Sequence, residues 1–105
     1  MKAILRISAI LVFAGAVANA WTEPAASVYK TKCAACHGPV GDASTPAGKA
    51  LKVPSFTSEA VLKDTDADML TIAKNGKGKM PAWHDKLSED QLKDLIAFIH
   101  TMQKR

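Results

Sequence analysis

The chain places both of its cysteines within four residues, at Cys33 and Cys36, and sets His37 directly behind them. On an α-helix these positions stand at i, i+3 and i+4, so their side chains leave one face within about one 5.4 Å turn. They can grip a single flat object together. Gly38, Pro39, Gly41, Pro46, Gly48 and Pro54 follow within 17 residues and forbid a long helix there. A loop of that length in a small chain needs something to wrap around.

The first 20 residues set the compartment. Lys2 and Arg6 precede an apolar run from Ile7 to Ala18, and Ala18-Asn19-Ala20 closes it with small residues. This is the pattern of a secretory signal peptide cleaved after Ala20. The apolar run is shorter than the roughly 20 residues that span a bilayer. Removing 20 of the 105 residues leaves 85, one domain over 21–105, with no later segment apolar enough to cross a membrane. A domain this small buries a limited core and is usually helped by a disulfide, a metal or a bound group. The expected location is the periplasm, as a soluble monomer.

Charge excludes one class of partner. Without Lys2 and Arg6, 12 basic side chains face 10 acidic ones, and the lysines are scattered among Asp and Glu. No basic stripe is left to bind nucleic acid.

The helical pattern is clear at both ends. Pro24 opens a first helix that runs into the cysteine pair. One turn is expected around 47–51, and 58–75 reads as helix in one or two pieces, with Thr65 capping 66–74 and Asn75-Gly76 stopping it. After the irregular NGKGKMPAWHD comes the strongest signal. Ser88 and Gln91 form a capping box, Leu87 and Leu92 a staple, and Leu92, Leu95, Ile96 and Ile99 one buried face with Phe98 and Met102 beside it. No strand pattern of useful length appears, so the fold class is all-α, about four helices and long loops.

Three chemistries use paired cysteines. A thiol-disulfide oxidoreductase needs its C-x-x-C at a helix start in a βαβ setting, and no strands are available. A structural zinc site needs four ligands, and His84 and His100 do not supply the second paired spacing. Two thiols in this register can add to the two vinyl groups along one side of a haem while the next imidazole reaches the iron. C-x-x-C-H is therefore read as a c-type haem attachment site.

VYKTKCAACHG, KGKMPAW and LSEDQLKDLIAFIH together resemble class I cytochromes c of the small bacterial, single-haem kind, over essentially all of 21–105. The resemblance implies the cytochrome c fold around one haem c bound through Cys33 and Cys36. It also implies that Tyr29, four residues before Cys33, packs where the first and last helices cross, with Ala25 one turn earlier and Phe98 as partner. His37 is then one iron ligand, and the M-P-A block supplies the other as Met80. Met69 and Met102 sit in helical patterns as core filler, His84 is a rival ligand that the resemblance does not favour, and His100 is a surface or helix-end residue. The Pro46 carbonyl is the expected acceptor for His37 Nδ1. Leu51, Val53, Pro54 and Phe56 are expected to pack on the ring, with Trp83 against the haem or near a propionate.

A Met thioether favours ferrous iron and raises the potential relative to bis-histidine ligation. Two protein ligands leave no open position for a substrate, so the expected role is a one-electron carrier and not an enzyme. The alternatives are a dedicated electron-transfer subunit of a dehydrogenase or oxidase, and a haem enzyme or gas sensor with a labile Met80. Lys74, Lys77 and Lys79 flank the Met80 loop and would steer a transient redox partner with an acidic face.

Overall fold

The structure is a computed structural model and describes residues 23–104. The expected signal segment lies outside the described residues. Those residues form six helices: α1 (Ala25–Lys32), α2 (Ala34–His37), α3 (Pro46–Ala50), α4 (Glu59–Leu62), α5 (Asp66–Asn75) and α6 (Glu89–Gln103). Three of the six are single turns of four or five residues, which is why the sequence pattern suggests a smaller number. No strand forms among the described residues, and the fold is all-α.

Local chemistry sets the helix ends. The Pro24 carbonyl accepts from Ser27 and Val28 and starts α1, while Lys30 and Lys32 complement the helix dipole at its end. Cys33 leaves the ideal helix at φ −116°, yet its N–H still donates to the Tyr29 carbonyl and its own carbonyl accepts from His37. The chain therefore bends at Cys33 without unravelling. Ser88 and Gln91 close the expected capping box on α6, and Thr65 forms another on α5 with Asp68 as its second member. The two hydrogen bonds from Thr65 hold the fully exposed Asp68 carboxyl below its ordinary pKa.

α1 and α6 pack across each other, and α6 also carries α5. Val28, Tyr29, Phe56, Leu87, Leu92, Leu95 and Met102 form the core, with Ala25, Phe98 and Ile99 packed on it. Tyr29 is 2 % exposed, with its ring centroid 5.3 Å from that of Phe98. The expected crossing is therefore present. Met69 and Met102 are buried, as expected of core filler.

Tyr29 does more than fill space. Its hydroxyl donates to the Gly38 carbonyl at 2.6 Å, fastening the crossing to the end of α2. Burial, with smaller contributions from Cys33 and Asp42, pushes the phenol pKa upward, so it stays a donor.

Ala25→Leu is expected to overpack the α1/α6 crossing and lower stability by about 1–3 kcal/mol. A denaturant midpoint matching the wild-type value would show that Ala25 is not at the crossing.

Candidate functional site

Cys33 and Cys36 are partly buried free thiols on either side of the bend between α1 and α2. Burial pushes the Cys33 thiol up to about 11, with Lys32 opposing. That is the reverse of an activated redox cysteine, whose thiolate is stabilised. Among the described residues no group of three or more His, Cys, Asp or Glu side chains is gathered to hold a metal ion.

His37 ends α2. Burial lowers its pKa, so the imidazole is neutral, the form that binds a metal. Phe56 stacks on it with ring centroids 4.6 Å apart and planes 13° from parallel. His37 Nδ1 is buried and has no hydrogen-bond partner, so the expected bond to the Pro46 carbonyl is not formed in this structure. An orphaned buried ring nitrogen is costly in a finished core. It fits a ring whose position is set by a bound group.

Pro46 is the first residue of α3, which packs on α2. Thr45 caps α3 by accepting from the Gly48 N–H and donates its hydroxyl to the Ala35 carbonyl at 2.6 Å. The contact is close because Gly48 has no side chain. A Cβ there would stand 2.4 Å from the Cys36 carbonyl oxygen and 2.6 Å from that of Ala43. These are backbone atoms and cannot swing aside.

Met80 comes from the other half of the chain. Lys77 and Met80 exchange two backbone hydrogen bonds, of 3.2 and 3.0 Å, around Gly78 at φ +57°. Gly76, at φ +76°, stops α5 and lets the Met80 carbonyl approach, since a Cβ there would lie 2.5 Å from it. Met80 is half-buried at the closing end of this tight turn. Trp83 follows, its N–H bonded to the Ala73 carbonyl and its ring packed on the core. His84, the rival ligand, is exposed and pairs with Asp85 at 2.9 Å.

Two features escape sequence reasoning. Lys32 and Lys86 place their ammonium groups 5.9 and 5.1 Å from the Trp83 ring centroid, whereas Lys74 pairs with Glu89 at 3.6 Å. Lys74 is thus a paired surface lysine, while Lys77 and Lys79 are exposed beside Met80 in sequence. His100 is a partly exposed residue of the last turn of α6, as expected, but it has partners at both ring nitrogens, Asp66 and Gln103. Asp66 is 34 residues away in sequence, and no local signal announces that pair.

Comparison with known proteins gives the family and the fold. A family model described as cytochrome c oxidase, cbb3-type, subunit III matches residues 20–99. The chain is 35% identical over 72 residues to cytochrome c6 of Leptolyngbya boryana, covering 69% of this chain and 81% of that protein. It is 32% identical over 82 residues to the cbb3-type cytochrome c oxidase subunit CcoP of Azospirillum brasilense, covering 76% of this chain but only 28% of that subunit. Among solved structures, the KustC0563 c-type cytochrome superposes with a TM-score of 0.69 at 23% identity, over 76% of this chain and 98% of that one. Cytochrome c6C of Synechococcus sp. PCC 7002 gives 0.59 at 24%, over 76% and 95%. At such identities these two likenesses speak for the fold.

The chain belongs to the cytochrome c family, as a small class I member of the single-haem type. Its class is one of electron transfer, not of enzymes in themselves.

Gly48→Ala is expected to push α3 off the Cys36 turn. The protein should lose about 1–3 kcal/mol, the usual cost of overpacking, and accumulate less haem-loaded product on expression. Wild-type yield and wild-type unfolding would refute the close contact.

Proposed function

We propose that this chain is an exported one-electron carrier in which Cys33 and Cys36 hold one haem c by thioether bonds and His37 and Met80 are the iron ligands. The observation that carries the reading is the one-turn set of two free thiols and a partly buried imidazole kept neutral, whose buried Nδ1 is unpartnered. When bound, haem supplies the ferrous/ferric couple. The chain's own residues do the rest. His37 offers a ring nitrogen lone pair. The Gly76–Met80 turn presents a soft thioether, and Phe56 and Trp83 are proposed to border the ring and keep water from it.

Residues 1–20 are proposed to be removed on export, leaving 21–105 as a monomeric domain in the periplasm. Among the described residues no helix is long and apolar enough to cross a membrane. Lys77 and Lys79 are exposed beside Met80 and, with the lysines around Trp83, would draw a redox partner with an acidic face into a brief encounter. A second reading, that the chain serves as the electron-transfer part of an oxidase, is favoured by the subunit III family match and the CcoP likeness. Purification from its native membranes separates the two. A carrier leaves in the soluble fraction, and a subunit stays with an oxidase.

Acidified organic solvent is expected to leave the haem on the denatured polypeptide, and haem in the solvent phase would end the thioether assignment. Met80→Ala is expected to abolish the weak far-red band of ferric iron bound to methionine and to lower the reduction potential. A variant spectrum identical to the wild type would transfer the ligand role to another residue, His84 first.

Lys77→Glu with Lys79→Glu is expected to slow reduction of an acidic partner protein. The deficit should close as salt rises, because exposed charges are screened over about 8 Å at physiological ionic strength. Equal slowing at every salt concentration would argue for direct contact instead.

A further inference from the structure

One chain of side-chain hydrogen bonds runs from α5 through α6 to the loop behind His37. His100 Nε2 lies 2.6 Å from Asp66 Oδ1, and His100 Nδ1 lies 2.7 Å from Gln103 Oε1. Gln103 Nε2 donates to the Phe56 carbonyl at 3.0 Å. Phe56 is the ring stacked on His37, and its own N–H donates to the Gly41 carbonyl at 2.9 Å.

The protonation state follows from donor counting. The Phe56 carbonyl only accepts, so the Gln103 amide must aim its NH₂ at Phe56 and its oxygen at His100. Both neighbours of the imidazole are then acceptors, a carboxylate and an amide oxygen. Both ring nitrogens must carry protons. A neutral imidazole has only one N–H, which the Asp66 carboxylate would keep because charge-assisted hydrogen bonds are the stronger ones. The Nδ1 lone pair would then face the Gln103 oxygen. If Gln103 turned its amide to donate to Nδ1, its oxygen would face the Phe56 carbonyl. Either way one bond of the chain is lost.

We propose that Asp66, His100 and Gln103 form a protonation-dependent relay that holds Phe56 against His37, so that a residue touching neither the haem site nor its ligands sets the position of the His37 ring. The inference rests on the reading of His37 as an iron ligand. His100 and Gln103 are positioning residues. The charged groups around His100 are Asp66 on α5, which favours the proton, Lys104 just past the end of α6, which opposes it, and Lys93 on α6, which lines the same groove. The hydrogen bonds to Asp66 and then Gln103 raise its pKa above the ordinary 6.5. A raised folded value means that the relay's contribution is complete below the unfolded imidazole pKa and is lost as pH rises through the folded one. Since the His100 side chain is 35 % exposed, solvent screens part of this effect.

The test uses the ferric haem-loaded protein. Proton NMR follows the paramagnetically shifted His37 ring signals, the His100 ring and the Gln103 amide protons from about pH 5 to about pH 9, on either side of the ordinary imidazole pKa. In the wild type all three are expected to move together in one single-proton transition. In His100→Asn the pH-dependent movement of His37 should disappear. In Gln103→Met, which keeps the side-chain volume, His100 should still titrate against Asp66 while His37 no longer responds. His37 signals that stay flat in the wild type while His100 titrates would overturn the relay. So would a pH response that survives Gln103→Met, since His100 charge alone would then be acting. If no shifted His37 ligand signals exist at any pH, the iron-ligand reading fails instead. Joint titration of the His100 and Gln103 signals would then still support the proton switch, and a Gln103 amide indifferent to His100 would refute it.

Discussion

The buried hydrogen bond from Tyr29 to the Gly38 carbonyl ties the helix crossing and the CAACH turn to one geometry. Tyr29 sits where α1 and α6 cross, and Gly38 is the residue after His37. The bond converts helix packing, which is tolerant of small shifts, into a fixed distance between the crossing and the CAACH turn. Removing its donor would leave a buried carbonyl unsatisfied, which typically costs about 1–3 kcal/mol. That is a large fraction of the stability of so small a domain.

From that fixed turn the site is assembled by close backbone approach. α3 can lie on α2 because Gly48 lacks a side chain, and the Met80 carbonyl can approach Gly76 for the same reason. Phe56, the longest reach of the loop after the turn, is held at its N–H by Gly41 and at its carbonyl by Gln103. These contacts act on the backbone of Cys36, Met80 and Phe56 and not on their side chains. This division of labour suits the proposed meeting of two thiols and two iron ligands with one rigid haem.

The electrostatics point the same way. Burial raises Cys33 and lowers His37, so both stay uncharged. Charge is kept outside the core, on lysines near Trp83 and the Met80 turn and on the Asp66 and His100 pair. A neutral interior suits a carrier, whose redox change should not be trapped by a fixed charge beside the iron. An exposed basic rim suits brief encounters, since it speeds association without adding a large dry interface.

What the sequence determined by itself is what short range decides. The CAACH spacing, the Ser88 and Thr65 caps, the apolar face of α6 and the glycine stop after α5 each rest on neighbours within about one helical turn, and all appear in the fold. The proposed site residues Cys33, Cys36, His37 and Met80 rest on the same kind of local pattern together with the family resemblance. Only the tertiary structure decided the rest. Gln103 bonds the Phe56 carbonyl across 47 residues, and Asp66 bonds His100 across 34. It also paired Lys74 with Glu89 and left His37 Nδ1 without the expected Pro46 bond. Such pairings depend on the crossing angle and rotation of helices, which follow from the packing of the whole core, so no spacing within the chain encodes them.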